Sequence, residues 1–170
     1  MKAIICRKLG PPSVLRLEEQ PTQHISADDI RIRVRAAGVN FPDILMVAGT
    51  YQHKPSLPFV PGFEVAGEIM EIGKNCTSLK LGERVMASMR TGGYADECIV
   101  KLTAIQHMPT SFDFAEGAAF QVAYSTAYVA LVRRADLSKG ETLLVHGAAG
   151  GVGLAAIQLG RALGANVIAT

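Results

Sequence analysis

The 170-residue sequence predicts an α/β chain in two parts, a strand-and-turn-rich region followed by a helical region that closes on a βαβ unit. Three observations carry this. Apolar and charged residues alternate in Ile30-Arg31-Ile32-Arg33-Val34-Arg35, the period of a half-buried strand with a charged outer face. Pro55, Pro58, Pro61, Gly62, Gly92 and Gly93 cut the first part into short extended runs. From Thr142 onward the pattern is strand, glycine-rich loop, helix and strand again.

Taken in order, MKAIICRKLG reads as a first strand, its apolar run being too short for a signal peptide. A short helix is expected from near Pro42, a residue suited to a first helical turn, to about Ala48. Val65 to Ile72 forms a strand ending at Gly73. Gly82-Glu83-Arg84-Val85 makes a tight turn into the next, and Tyr94 to Val100 a further one. The character changes near residue 110. Ser111 and Asp113 are candidate caps for an alanine-rich helical stretch that runs to about Arg134, interrupted near Gln121. Ser138 to Glu141 turns the chain. Thr142 to His146 reads as a buried strand, Gly147 to Gly153 as the loop, and the next helix ends near Leu163 with Gly164 as its left-handed stop. Asn166 to Thr170 begins the second strand. One βαβ unit cannot cover a parallel sheet, so a completed domain is expected to need more chain or another partner.

The apolar fraction of 49% suffices for a core, and a net charge of +2 leaves no basic footprint for nucleic acid. Arg133-Arg134, the one basic doublet, reads as a solvated helix end. Cys6, Cys76 and Cys98 are too few and too scattered for a disulfide framework, which favours a reducing compartment. No apolar run reaches the ~18 residues of a membrane span.

The loop carries glycines at 147, 150, 151 and 153. A helix amino terminus presents unpaired N–H groups and partial positive charge to a pyrophosphate. Glycine lets the backbone come close to it, and Gly153 is expected to let helix and strand pack tightly, with Ala155 and Ala156 keeping that face small. Strand before, helix after and strand beyond are the context that makes a glycine motif informative. A tight turn in some other doubly wound protein is the competing reading. No Gly-Lys-Ser/Thr follows, which removes a Walker-type loop. The ribose selector of such a fold lies ~20 residues past the motif, where this sequence ends, so its residues do not choose between NADH and NADPH.

Three blocks together carry a resemblance. They are GVNFPDILMVAGTYQHKPSLPFVPGFEVAGEI (Gly38 to Ile69), LGERV (Leu81 to Val85), and QVAYSTAYVAL with KGETLLVHGAAGGVGLAAIQLGRALGA. The sequence resembles the medium-chain dehydrogenase/reductase superfamily over essentially its whole length, and GVNFPD with AGTY resembles the quinone oxidoreductase and ζ-crystallin branch. The resemblance implies a GroES-like β-rich catalytic domain over about 1–118. The start of an NAD(P)-binding Rossmann domain would follow over 119–170, incomplete within this chain. It implies hydride transfer from NADPH to a quinone or enone, in the cytoplasm or mitochondrion, by a protein whose complete form is a homodimer through a Rossmann edge. Zinc members of the superfamily have Cys in the position of Asn40 and His in that of Phe63. Asn40 is a poor ligand and Phe63 none, Glu64 alone cannot hold a catalytic zinc, and no cluster of cysteines follows Val85, so zinc is not expected. His24, His53, His107 and His146 show no ligand spacing.

The site residues implied are Asn40, Asp43 and Tyr51 on the catalytic side, and Asn40, Thr126, Gly150, Gly151 and Val152 on the cofactor side. Each has a structural alternative. Asn40 offers an amide to a substrate carbonyl or the nicotinamide ribose, or caps the helix after it. Tyr51 stacks on a flat ring, or packs as a loop tyrosine. Asp43 caps or braces. Thr126 approaches the nicotinamide half, or bonds within its own helix. Leu45 replaces a second tyrosine of some quinone reductases. No residue is a compelling general acid, which fits a direct hydride or one-electron route. Two rivals remain open: an enoyl-thioester reductase of the same superfamily, and a truncated, non-catalytic chain that binds NADPH weakly with little turnover.

Overall fold

The computed structural model describes residues 1–170, which divide into two compact units, Met1–Ala119 and Phe120–Thr170. In the first unit, β1 (Lys2–Ile5) pairs antiparallel with β2 (Arg16–Glu19). The main sheet has five antiparallel strands: β3 (Asp29–Ala37), β4 (Glu64–Ile72), β5 (Arg84–Ser88), β6 (Glu97–Lys101) and β7 (Ile105–His107), in the spatial order β6-β3-β4-β5-β7. Two short helices belong to this unit, α1 (Phe41–Val47) and α2 (Phe114–Ala118). Apolar side chains from β3, β4, β5 and β6 converge on a core of Ile30, Ile32, Val65, Ile69, Val85, Ala87, Cys98 and Val100. A second cluster, Cys6, Met46, Val47 and Phe59, holds α1 against the amino-terminal strand.

The alternating run predicts charged residues outside and apolar ones inside, and Arg31 departs from it. Its side chain is buried, with only 6% of the residue exposed. β3 is a central strand, so Arg31 faces neighbours on both sides: Nε donates to Glu71 at 2.9 Å on β4, and Nη1 to Glu97 at 3.2 Å on β6. The Gln23 carbonyl accepts a third bond. A buried guanidinium is tolerable only when paired in this way. The pairing of β3 and β4 shifts register between Val34 and Ala36. There Gly67 comes so close to β3 that a Cβ would lie 2.0 Å from the Arg33 carbonyl oxygen, so the bulge requires glycine.

Asp113 caps α2, accepting the Glu116 N–H at 2.8 Å while the Glu116 carboxylate accepts the Asp113 N–H in return. Ser111 has no such role, being two residues before the cap. The β6 strand starts at Glu97 rather than Tyr94, because Tyr94 bonds instead to Pro61 and to Ile4.

In the second unit, α3 (Gln121–Tyr128) continues into a wider π turn over Val129–Arg134. β8 (Thr142–Val145) and β9 (Asn166–Ala169) pair in parallel across α4 (Gly151–Ala162). Gly164 adopts φ +82°, ending α4 as expected. β8 is not the buried strand its composition predicts: Leu144 on β8 and Ile168 on β9 are half exposed. Two strands and one helix cover only one face of the pair, so the other stays open. Nor is Gly153 the residue that lets helix and strand pack. A Cβ on Gly153 would strike the loop itself, 2.4 Å from the Gly147 carbonyl oxygen. On Gly160 it would meet Leu143 of β8 at 2.7 Å and Val167 of β9 at 3.2 Å. No helix is long and apolar enough to cross a membrane.

Candidate functional site

In the first unit the candidate residues gather around the start of α1. Glu64, only 2% exposed, opens β4 next to this point. Its Oε1 accepts the Asn40 side-chain amide at 2.9 Å, and its carbonyl accepts the Gly38 N–H at 3.1 Å. A Cβ on Gly38 would come within 2.4 Å of that same carboxylate oxygen, so glycine there makes room for it. The Asn40 side chain is therefore fixed to the sheet, with one of its two amide hydrogens engaged.

Asp43 is the hub of this corner. Its Oδ2 accepts the Asn40 N–H at 2.9 Å and the Tyr94 hydroxyl at 2.7 Å, while Oδ1 accepts the Gly62 N–H at 3.0 Å. The residue is 4% exposed. Burial pushes its carboxyl above the usual aspartate range, against the pull of the three hydrogen bonds. Burial and the Asp43 carboxylate in turn raise the Tyr94 hydroxyl well above its ordinary value. The pair braces α1 against the Gly62 and Tyr94 loops. Asp43 thus does both things its structural alternative allowed: it closes a capping box with Asn40 at the start of α1 and braces the helix against the two loops.

Tyr51 follows a left-handed Gly49 at φ +76°, and its N–H closes on the Leu45 carbonyl at 3.1 Å. Its ring meets Phe63 edge-on, centroids 5.6 Å apart and planes at 78°. Both line an open recess of about 400 Å³ with Gln52, His53 and Arg90. The sequence pointed to Tyr51 but not to Arg90 or Tyr94. Their positions depend on long-range strand pairing, and nothing local marks them.

In the second unit Gly150 is the residue before α4, its N–H turned to the Gly147 carbonyl at 3.1 Å. Gly151 and Val152 are exposed in the first turn, and no atom lies within 4 Å of where a Gly151 Cβ would stand. Helix geometry leaves their N–H groups without intrahelical partners. An exposed helix start with free N–H groups and no side chain in the way suits a pyrophosphate. Thr126 is exposed, and its hydroxyl donates to the Val122 carbonyl one turn back at 2.6 Å, the within-helix alternative; its oxygen keeps acceptor capacity. Past the ends of the two parallel strands, His146 Nδ1 and Thr170 Oγ1 share a hydrogen bond of 2.8 Å.

No three His, Cys, Asp or Glu side chains come together as a metal-binding group. Phe63 packs partly buried against the Met46–Val47 cluster, and Asn40 is taken by Glu64.

Residues 26–134 match the family model of the alcohol dehydrogenase GroES-like domain. Human quinone oxidoreductase is 41% identical over 172 aligned residues, covering 100% of this chain and 52% of that protein. Among solved structures, a probable oxidoreductase from Mycobacterium abscessus aligns with a TM-score of 0.94 at 44% identity, over 99% of this chain and 54% of that one. The quinone oxidoreductase of Thermus thermophilus, solved also as its complex with NADPH, aligns with a TM-score of 0.88 at 37% identity, over 99% and 52%. The chain thus spans about half the length of the relatives it matches. By its matched domain and its relatives, the chain belongs to the alcohol dehydrogenase GroES-like domain family of the medium-chain dehydrogenase/reductase superfamily, with quinone oxidoreductases among its kin.

Proposed function

We propose that this chain supplies the substrate wall and phosphate turn of a zinc-independent, NADPH-dependent reductase of quinones or activated alkenes. In this reading residues 1–118 are the GroES-like catalytic domain and 119–170 begin an NAD(P)-binding Rossmann domain. The observation that carries it is the first turn of α4, where Gly151 and Val152 stand exposed beside space that a side chain would fill. Kinship to quinone oxidoreductases, one of them solved with NADPH, supports the choice of cofactor and acceptor.

When bound, NADPH supplies the hydride. The N–H groups of Gly151 and Val152 hold the pyrophosphate, helped by the α4 dipole. The Thr126 oxygen accepts from the nicotinamide half. The second amide hydrogen of Asn40 donates to the substrate carbonyl or to the nicotinamide ribose, its plane held by Glu64. Tyr51 stacks on the flat acceptor, and Asp43 positions Asn40 through the start of α1. In a zinc-independent site, orientation and fixed donors carry the task of polarising the carbonyl.

Gly151→Asp separates this role from folding. A carboxylate in the first helical turn favours the helix, so the melting midpoint should hold or rise. Repulsion of the pyrophosphate should weaken NADPH binding about tenfold, read by nicotinamide fluorescence. An unchanged affinity would sink the phosphate-turn assignment. NADPH-oxidation assays with 1,2-naphthoquinone, an enone and an enoyl-CoA rank the acceptors, and clear preference for the thioester moves the assignment to an enoyl-thioester reductase. The 170-residue chain alone is expected to bind NADPH weakly and turn over little; saturable activity from it contradicts that expectation.

A further inference from the structure

The recess beside Tyr51 has a charge that a neutral quinone does not call for. Arg90 lines it together with Tyr51, Gln52, His53 and Phe63, and no carboxylate is among the lining residues. Arg90 makes no ion pair, whereas Arg7, Arg31 and Arg35 each find a glutamate. Lys54, next to His53, is exposed and unpaired as well. The polar edge of the recess therefore offers donors from Gln52, His53 and Arg90 and a positive charge, against a wall of two aromatic rings.

Arg90 is exposed, and the backbone that carries it starts from a fixed position. β4 and β5 pair as far as Glu64 opposite Ser88. One residue beyond, the Met89 N–H bonds to the Phe63 carbonyl at 2.8 Å. The chain after Arg90 is tied again, Gly92 N–H to the Val60 carbonyl at 2.7 Å and Tyr94 N–H to the Pro61 carbonyl at 2.9 Å. The backbone that carries Arg90 is thus stitched on both sides to the segment that carries Phe63. The frame keeps the root of the Arg90 side chain beside Phe63, while the side chain itself is ordered only when a ligand engages it.

Arginine stays charged at any accessible pH, and its planar fork matches two-oxygen anions. We infer that the Tyr51–Phe63–Arg90 recess selects acceptors that carry an anionic group on the flat ring system, such as a hydroxyquinone in its ionised form, over neutral quinones of the same shape. The ring lies against Tyr51 and Phe63. The anionic oxygens take Arg90, with His53 and Gln52 as further donors. This rests on the quinone reading above and narrows its substrate class.

The test is a direct binding measurement by calorimetry on the purified chain with a matched pair of naphthoquinones. One is 2-hydroxy-1,4-naphthoquinone, an anion at neutral pH, and the other is its neutral 2-methoxy analogue. The anion should bind about tenfold tighter at low salt, the advantage shrinking at high salt. Arg90→Gln should bring the ratio of the two affinities to about one with the far-UV spectrum unchanged, and Arg90→Lys should keep part of the preference. Equal binding of both compounds overturns the inference and leaves the quinone reading standing. A preference that survives in Arg90→Gln also overturns it, since the charge then acts elsewhere. Binding of neither compound overturns both.

Discussion

Asp43 accepts three hydrogen bonds from three separate segments, and this makes it the residue whose removal the first unit should feel most. In Asp43→Asn a single acceptor oxygen replaces two, and an NH₂ group faces donors. Each donor left unpaired costs about 1–3 kcal/mol, so urea unfolding should show a loss in that range or above. The effect has a defined pH dependence. Burial holds the folded Asp43 above its unfolded value of about 3.9, so the folded state binds the extra proton between the two. Its contribution is complete below the unfolded value and is lost as pH rises through the folded one. The stability gap between the natural chain and Asp43→Asn should therefore narrow as pH rises from about 4; a widening gap contradicts the assignment. The sequence offered Asp43 as catalytic or bracing and could not choose, because Tyr94 and Gly62 reach it only in the fold. The Asn40 alternatives stayed open for the same reason: Glu64, its partner, is 24 residues away.

At the scale of elements, period and punctuation made most of the architecture legible. The β3 strand, the Pro42 helix, the Gly82 turn and the βαβ order all stand as the sequence implies. What was not legible is which face a neighbour covers. Arg31 is buried among Glu71, Glu97 and the Gln23 carbonyl, whereas Arg33 and Arg35 on the same strand stay exposed, and β8 is open because only α4 lies on the pair. The same limit misplaced the packing glycine. Gly160, not Gly153, touches both strands, so Gly160→Ala overpacks that contact and should cost about 1–3 kcal/mol. Gly151→Ala, with open space around it, should leave the thermal midpoint unchanged or slightly raised. Equal losses from the two substitutions would show that α4 does not pack as described.

For the whole molecule, two measurements probe features that span the chain. Cys6, Cys76 and Cys98 are all buried, and burial pushes the Cys98 thiol up to about 12. Thiolate is the reactive form, so all three should label slowly in buffer and completely in denaturant. Rapid labelling of Cys98 without denaturant would show that the β3–β6 side of the core opens. A chelator should leave the melting midpoint where it was, since a structural zinc would contribute folding energy outright; stoichiometric zinc in the purified protein refutes the zinc-independent reading. Family membership was legible in three ordered motifs, whereas the recess chemistry was not, because Gln52, His53 and Arg90 carry no pattern. The backbone ties on either side of Arg90 have a consequence of another kind. The frame behind the recess is held by main-chain atoms outside positions 52, 53 and 90, from Met89, Gly92 and Tyr94 to Phe63, Val60 and Pro61. Its lining can therefore drift in descent, or be randomised in a library at positions 52, 53 and 90, with acceptor preference changing while the scaffold endures.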